Sequence, residues 1–442
     1  MTLRFGTDGV RGVANRELTP ELLTALGRAA ARVLGTERPF LVARDTRSSG
    51  PLVEAALVAG LTSAGADVEL VGVLPTPGLA FLAAEAGLPA VMISASHNAF
   101  ADNGVKLFAR GGRKLPAEEE TSIEAELVAA PDEPLEGDVI GDVRSHLGGA
   151  GRYVLHLAHA LGGRVLPSFH VVVDCANGAA FDVAPSALRE LGLRVDVCNA
   201  EPDGVNINAA CGSTSPEALQ AEVVTRGADI GLALDGDADR VLAVDETGAI
   251  VDGDQLLAIL ALDRHERGAL TGDAVVSTIM SNLGLRHALA ARGVDVVEVP
   301  VGDRHVLAAL EERGLTLGGE QSGHIVVTDL ATTGDGTLVG ILVVDVMART
   351  SSRLSALAEV VQRIPQVLRN VAAPNPAALA ADDAFAAAVR TVEAELGDSG
   401  RVLVRPSGTE SVLRLMVEAP AIEQAEGLAD RLALAAAAAA GS

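Results

Sequence analysis

The chain has 442 residues, too many for one hydrophobic core and enough for roughly two to four domains of ordinary size. With 59 Asp and Glu against 34 Lys and Arg, its net charge of −25 repels nucleic acid and anionic membranes, so neither is expected as a partner, and an anionic substrate needs a local basic pocket. Three cysteines (Cys175, Cys198, Cys211) without a C-x-x-C pair speak against disulfides and zinc and for a reducing cytoplasm, and no apolar signal core or membrane-length run occurs, LALAAAAAA being too short.

The chain opens on RFGTDGVRG, where Arg4 and Arg11 flank a glycine-rich turn; taken alone it is equally a strand and turn with solvated arginines. ELLTALGRAAARVLG carries apolar residues at helical spacing, and PFLVARD is a short buried strand ending in charge. SGPLVEAALVAGLTSAG reads as helix and ADVELVGVLPTP as strand. LPAVMI, a further buried strand, runs directly into Ser96-His97-Asn98, with Lys106 following. Such an ending is either a capping turn or a reactive hydroxyl at the carboxyl end of a strand, where open α/β sheets bind ligands. Strand-like runs recur in SFHVVVDCANGAAF, LRVDVCNAEPDG, ADIGLALDGDADR, GDAVVSTIMS and VDVVEVPVGDRHV, and their alternation with helices predicts parallel sheets of β-α-β units. APDEPLEGDVIGDV, near 130–143, and IPQVLRNVAAPNPAA, around 364–377, mark breaks, with a third division near Gly253. After 375, RVLVRPSGTESVLRLMVEA is a strand–loop–strand between two helices, a smaller α+β domain. No sequence repeat is strong enough to prove duplication of the α/β units.

Four loops carry chemistry. In LALDGDADRVLAVDE, Asp235, Asp237 and Asp239 alternate with small residues; carboxylates so close repel one another, and a divalent cation is the ordinary remedy. Alternation in an extended segment would turn all three to one side. The competing reading is a solvated acidic turn. An EF-hand is rejected because Arg240 stands where the sharp turn needs glycine, although Glu246 fits its last position. A phosphatase resembling the haloacid dehalogenases, with Asp235 as nucleophile, remains a second reading, against Asp239 where that family has Thr or Val. In LGGEQSGHIVV, Glu320, Ser322 and His324 offer a carboxylate, a hydroxyl and an imidazole at alternate positions, suited to vicinal sugar hydroxyls, though a polar turn looks similar. In VRPSGTES, Arg405, Ser407, Gly408 and Thr409 form a phosphate cradle without a P-loop lysine, or a plain hairpin turn. A cleft between domains is where such loops would converge.

In this order, GTDGVRG, SASHN, LDGDADR, GGEQSGH and RPSGTE resemble the α-D-phosphohexomutase superfamily over essentially the whole chain. GGEQSGH, ATTGDGT (331–337) and VDCANGAAF with CGSTSPEAL resemble its glucosamine-acting members more than its phosphomannomutase/phosphoglucomutase members, which stay as the alternative. The resemblance implies an α/β fold of four domains around a central cleft: three similar α/β domains with mixed sheets (1–150, 151–253, 254–368) and a smaller C-terminal α+β domain (369–442). It implies interconversion of glucosamine 6-phosphate and glucosamine 1-phosphate, with one Mg²⁺ per chain and glucosamine 1,6-bisphosphate as intermediate and activator, on the route to UDP-N-acetylglucosamine and cell-wall precursors. Ser96 matches the phosphorylated serine, which also meets the metal; Asp235, Asp237 and Asp239 match the metal ligands, and Arg240 the neighbouring arginine. Glu320 and Ser322, with His324 beside them, match the sugar-binding residues, and Arg405, Ser407, Gly408 and Thr409 the distal phosphate site. Lys106 and Arg11 are expected near the serine phosphate, Lys106 in proton transfer; His97 either shares that task or caps the loop locally. A monomer or homodimer is expected, with the segment 365–376 as hinge of the last domain. Two departures stand out: Ala99 and Ser411 replace prolines usual in the family, and Ala99 should loosen the serine loop.

Overall fold

The computed structural model describes residues 5–6, 9–128, 135–406 and 411–440. By internal contacts the chain forms two compact units, one of residues 1–280 and 294–360, the other of residues 281–293 and 361–442. Among the described residues no helix is long and apolar enough to cross a membrane.

The larger unit contains three sheets. The first is built from β1 (Val10–Val13), β2 (Phe40–Arg44), β3 (Val68–Val73), β4 (Ala90–Ile93), β5 (Asp102–Ala109), β6 (Arg113–Lys114) and β7 (Val143–Ser145) in the order β1-β5-β4-β2-β3-β7, with β6 paired to β5. The second contains β8 (His170–Asp174), β9 (Arg194–Cys198), β10 (Ile230–Leu234), β11 (Val241–Asp245) and β12 (Ile250–Val251), ordered β12-β11-β10-β8-β9. The third contains β13 (Ala274–Thr278), β14 (Asp295–Val299), β15 (Leu317–Gly319) and β16 (Ile325–Val327), ordered β14-β13-β15-β16.

One plan recurs in all three. Three adjacent strands run parallel (β4-β2-β3, β10-β8-β9, β15-β13-β14), and the chain then doubles back in an antiparallel hairpin, β4–β5, β10–β11 or β15–β16. The central strands FLVAR, AVMI, HVVVD, IGLAL and AVVST are buried almost throughout, as strands covered on both faces must be. The duplication that the sequence does not show is thus plain in the topology. The parallel-sheet expectation is met only in part, because each hairpin adds antiparallel strands and makes its sheet mixed.

In the first domain, helix Pro20–Leu34 crosses helix Gly50–Ser63 at unusually short range. Both contact points are glycines: a Cβ on Gly27 would lie 2.3 Å from the Leu57 carbonyl oxygen, and one on Gly60 would lie 2.2 Å from that of Thr24. The stretch near Gly253 begins helix Gly253–Glu266, which Asp252 and Gln255 close with a reciprocal capping box.

The smaller unit is an antiparallel sheet ordered β17-β19-β18, from β17 (Gln366–Ala372), β18 (Arg401–Pro406) and β19 (Val412–Glu418). Helices Asp383–Leu396 and Ile422–Ala440 bury Phe385, Val392, Leu428 and Leu432 with the sheet's Leu413, Leu415 and Val417. Helix Leu283–Ala290 belongs to this unit although its flanking strands β13 and β14 do not. Its attachment is the fully buried Glu418 carboxylate, which accepts from Asn282 Nδ2 (3.0 Å), the Leu283 backbone N–H (3.2 Å) and Arg401 Nε (2.6 Å). The expected hinge at 365–376 is corrected here: most of it is β17, paired over its whole length with β19.

The helix crossing yields the first prediction. Gly60→Val should lower the stability of the purified protein by about 1–3 kcal/mol, the usual cost of overpacking, read as a lower denaturation midpoint. An unchanged midpoint would mean that the helices do not approach so closely.

Candidate active site

Each hairpin of the larger unit carries one of the chemically distinctive loops: Ser96 lies between β4 and β5, the three aspartates between β10 and β11, and Glu320 to His324 between β15 and β16. The repeated topology therefore presents three different loops from equivalent places.

Asp235, Asp237 and Asp239 are buried, and each offers a carboxylate oxygen within 4.8 Å of the others. They converge through a turn, with Ala238 at φ 55°, and not through the alternation of an extended strand that the spacing suggested. Gly236 is indispensable to the turn, because a Cβ there would lie 2.5 Å from the Ser96 carbonyl oxygen and 2.8 Å from Asn208 Nδ2. Burial, and then the charges of Asp239 and Asp237, push the Asp235 carboxyl well above the ordinary carboxylate range.

Cations and hydroxyls surround the three. Lys106, buried on β5, reaches Asp237 at 2.8 Å and Asp239 at 3.2 Å. Thr76 donates its hydroxyl to the same Asp237 oxygen, while its backbone N–H donates to the Asp237 carbonyl (3.0 Å). Ser96 Oγ donates to Asp235 Oδ2 at 2.6 Å. The Asp237 Oδ1 atom is buried with no hydrogen-bond partner. An all-oxygen donor set with such an orphaned lone pair fits a hard cation such as Mg²⁺ and does not favour zinc.

Arg240 closes the turn, its backbone N–H donating to Asp235 Oδ1 (3.3 Å) and its guanidinium to His97 Nδ1 (3.3 Å). Burial works against the Arg240 charge, but Asp239, Asp235 and Glu320 outweigh it and push its pKa up. His97 shows the opposite. Burial, reinforced by Arg240 and Arg11, pushes it down to about 4, so at neutral pH it is an uncharged imidazole 3.3 Å from Ser96 Oγ. This environment suits local orientation better than proton storage. Arg11 lies on β1 opposite Gly104 of β5, within electrostatic reach of His97.

The third loop is bound to the second. Val241 donates its N–H to the Gly323 carbonyl (3.1 Å), and a Cβ on Gly323 would lie 2.1 Å from the Val241 oxygen. Glu320 accepts from the Gly302 N–H (3.0 Å) and from the exposed Ser322 hydroxyl (3.5 Å). His324 is buried with neither ring nitrogen hydrogen-bonded, its ring against Gly334. ATTGDGT forms the floor of the aspartate turn: Gly336 N–H donates to the Ala238 carbonyl (3.0 Å), and Gly334 and Gly336 leave no room for a Cβ beside Asp239 and Arg240. Asp335 caps helix Gly336–Thr350 and accepts from Tyr153, the chain's single tyrosine, at 2.8 Å; burial raises its carboxyl to about 6.

In the smaller unit, Arg405 is half-buried on β18 opposite Arg414 of β19. Ser407, Gly408 and Thr409 lie outside the described residues. Sequence reasoning missed Thr76, Asn208 and the buried pair Asp45–Arg47. Only the last left a signal, an Asp-x-Arg at the end of the buried strand FLVAR.

Comparison with known proteins agrees with this geometry. Models of the phosphoglucomutase/phosphomannomutase family match in chain order: alpha/beta/alpha domains I, II and III at residues 2–133, 152–248 and 252–364, and the C-terminal domain at 368–435. The chain belongs to this family, the α-D-phosphohexomutases, and is a mutase of four domains. Its curated relatives include the phosphoglucosamine mutase of Streptomyces avermitilis, 52% identical over 441 residues and 97% of each chain. A solved phosphoglucomutase/phosphomannomutase family protein from Burkholderia thailandensis is 26% identical, with TM-score 0.81 over 98% of this chain and 97% of its own. The Aspergillus fumigatus N-acetylphosphoglucosamine mutase, solved with GlcNAc-6P and magnesium, shares the fold at 18% identity, with TM-score 0.72 over 100% of this chain and 96% of its own. The match across four domains displaces the dehalogenase-type reading of Asp235.

The second prediction concerns the three carboxylates. Mg²⁺ should raise the melting temperature of the wild type, since a ligand at 100 times its Kd stabilises by about 2.7 kcal/mol. Asp237→Asn should need at least about tenfold more Mg²⁺ for the same rise. An identical Mg²⁺ dependence in the variant would remove Asp237 from the metal site.

Proposed function

We propose that the protein interconverts glucosamine 6-phosphate and glucosamine 1-phosphate, with Ser96 as phosphoryl carrier and glucosamine 1,6-bisphosphate as intermediate. The observation that carries this reading is the 2.6 Å contact of Ser96 Oγ with one of three clustered, buried carboxylates. A lone hydroxyl is a weak nucleophile and its phosphate a poor donor, so phosphoryl transfer needs cationic charge beside that oxygen, which clustered carboxylates can provide by holding a metal. Mg²⁺ held by Asp235, Asp237 and Asp239 would supply the charge neutralisation that transfer requires. The S. avermitilis relative supports glucosamine as the sugar. Phosphomannomutase/phosphoglucomutase activity is the second reading, and parallel turnover of the glucosamine, glucose and mannose 6-phosphates decides between them.

The protein's own groups divide the work. Ser96 first transfers its phosphoryl group to O1 of glucosamine 6-phosphate; the P–O bond to serine breaks, a P–O bond to the sugar forms, and the O1 proton ends on Ser96 Oγ. Lys106 is assigned to carry that proton, and Arg240 and Arg11 to offset phosphate charge. The bisphosphate must then turn end for end so that its O6 phosphate faces Ser96 and restores phosphoserine. Arg405, Ser407, Gly408 and Thr409 suit this because they would read the distal anion and not its ring position. Glu320, Ser322 and His324 would hold ring hydroxyls in either orientation. A cytoplasmic setting, consistent with the three free cysteines, completes the reading.

The third prediction follows from this route. Purified active enzyme should carry one phosphate, on Ser96, and Ser96→Ala should lose at least about three orders of magnitude in turnover while staying folded. Glucosamine 1,6-bisphosphate should reactivate phosphate-stripped wild type and leave Ser96→Ala inactive. Wild-type turnover by Ser96→Ala would exclude Ser96 as carrier.

A further inference from the structure

Ser96 has a backbone it should not adopt unaided. Its φ is 51°, the left-handed region, where a residue with a Cβ is strained by about 1–3 kcal/mol unless its surroundings impose the conformation. The imposing groups are buried behind the loop. Arg47 is fully buried, and all five of its guanidinium N–H directions find acceptors. Nε donates to Asp45 Oδ2 (2.9 Å); one terminal nitrogen donates to the Ala99 and Asp102 carbonyls, the latter at 3.0 Å; the other donates to the carbonyls of Ser96 (2.9 Å) and Asn98 (2.8 Å).

The same unit reaches the other side of Ser96. The Ser96 backbone N–H donates to Ser94 Oγ (3.0 Å), and Ser94 Oγ donates to Asp45 Oδ2 (2.6 Å). One Asp45–Arg47 pair thus fixes both the N–H and the C=O of the serine. From the second sheet's domain, Asn208 Nδ2 donates to the Ser96 carbonyl (2.9 Å) and the Asn98 carbonyl (3.1 Å). The anchoring runs through backbone carbonyls, which alanine supplies as well as proline does. Ala99, in place of proline, takes its part in the anchoring through its carbonyl, which accepts from Arg47.

We propose that Arg47, supported by Asp45 and Asn208, is a positioning residue for phosphoryl transfer: it holds the Ser96 loop in the strained turn that aims Oγ at the carboxylate cluster. A planar fork satisfies four carbonyls at once, and a lysine, with three donors on a flexible stem, cannot reproduce it. The five hydrogen bonds of the Arg47 guanidinium go to Asp45 and to carbonyls of the Ser96 loop, so its effect is on the placement of Oγ. The proposal rests on Ser96 being the carrier.

The test is Arg47→Lys in the full-length enzyme, with kcat, KM, melting temperature and the Mg²⁺-induced thermal shift measured together. A folded variant with its Mg²⁺ shift intact, kcat down about 100-fold and KM within about threefold is expected, since misplacement by 1 Å costs about that much. A folded variant with wild-type kcat overturns the proposal, and so does a fall in kcat that vanishes once the lower melting temperature is compensated by cooling. If Arg47→Lys does not fold, Asn208→Ala decides: a fall in kcat of about tenfold at unchanged KM supports the positioning role, and an unchanged kcat overturns it. Ser96→Ala assayed alongside separates the two claims, because activity there would remove the carrier and not merely its anchor.

Discussion

Three carboxylates share one buried turn, and the rest of the site is arranged around that repulsion. Asp235, Asp237 and Asp239 cannot all be ionised in a low-dielectric pocket without compensation. Lys106, Arg240 and the hydroxyls of Ser96 and Thr76 supply part of it through direct contacts. The unpartnered Asp237 Oδ1 is where a bound cation would complete the balance. On the proposed route a phosphoryl group would bring more negative charge to the same place, and a cation held by the carboxylates would offset it.

The fold meets this constraint with one device used three times. A parallel strand buried on both faces ends, the chain doubles back as an antiparallel hairpin, and the loop of that hairpin faces the site. Close approach of the loops depends on glycines: Gly236 against Ser96, Gly323 against Val241, and Gly334 and Gly336 beneath the aspartate turn. At each of these a methyl group would meet backbone atoms, which cannot move aside as a flexible side chain would. The loops therefore form one fitted surface, and small changes in one should be felt by its neighbour.

Much of the site was legible in the sequence because its chemistry is local. The Asp-Gly-Asp-Ala-Asp spacing, the serine after LPAVMI and the carboxylate–hydroxyl–imidazole set of GGEQSGH each lie within a few residues. The geometry behind them was not. Strand alternation was a reasonable cause for three converging aspartates, but the chain uses a turn with Ala238 in the left-handed region. Arg47, Thr76 and Asn208 act on residues 49, 161 and 112 positions away, and no local pattern reports such contacts. Pro-rich composition suggested a hinge at 365–376, where pairing with β19 makes a strand instead. The capture of helix Leu283–Ala290 by the smaller unit depends on Glu418, 135 positions beyond Leu283, and was equally invisible.

On the proposed route Ser96 is an obligate way-station for the phosphoryl group. The most direct measurement is a chase: enzyme labelled with radioactive phosphate on Ser96 is mixed with excess unlabelled glucosamine 6-phosphate and sampled within one turnover and after many. The label should leave the protein within the first turnover and appear in the bisphosphate and then in the glucosamine monophosphates. Label that stays on the protein while product accumulates would contradict the account.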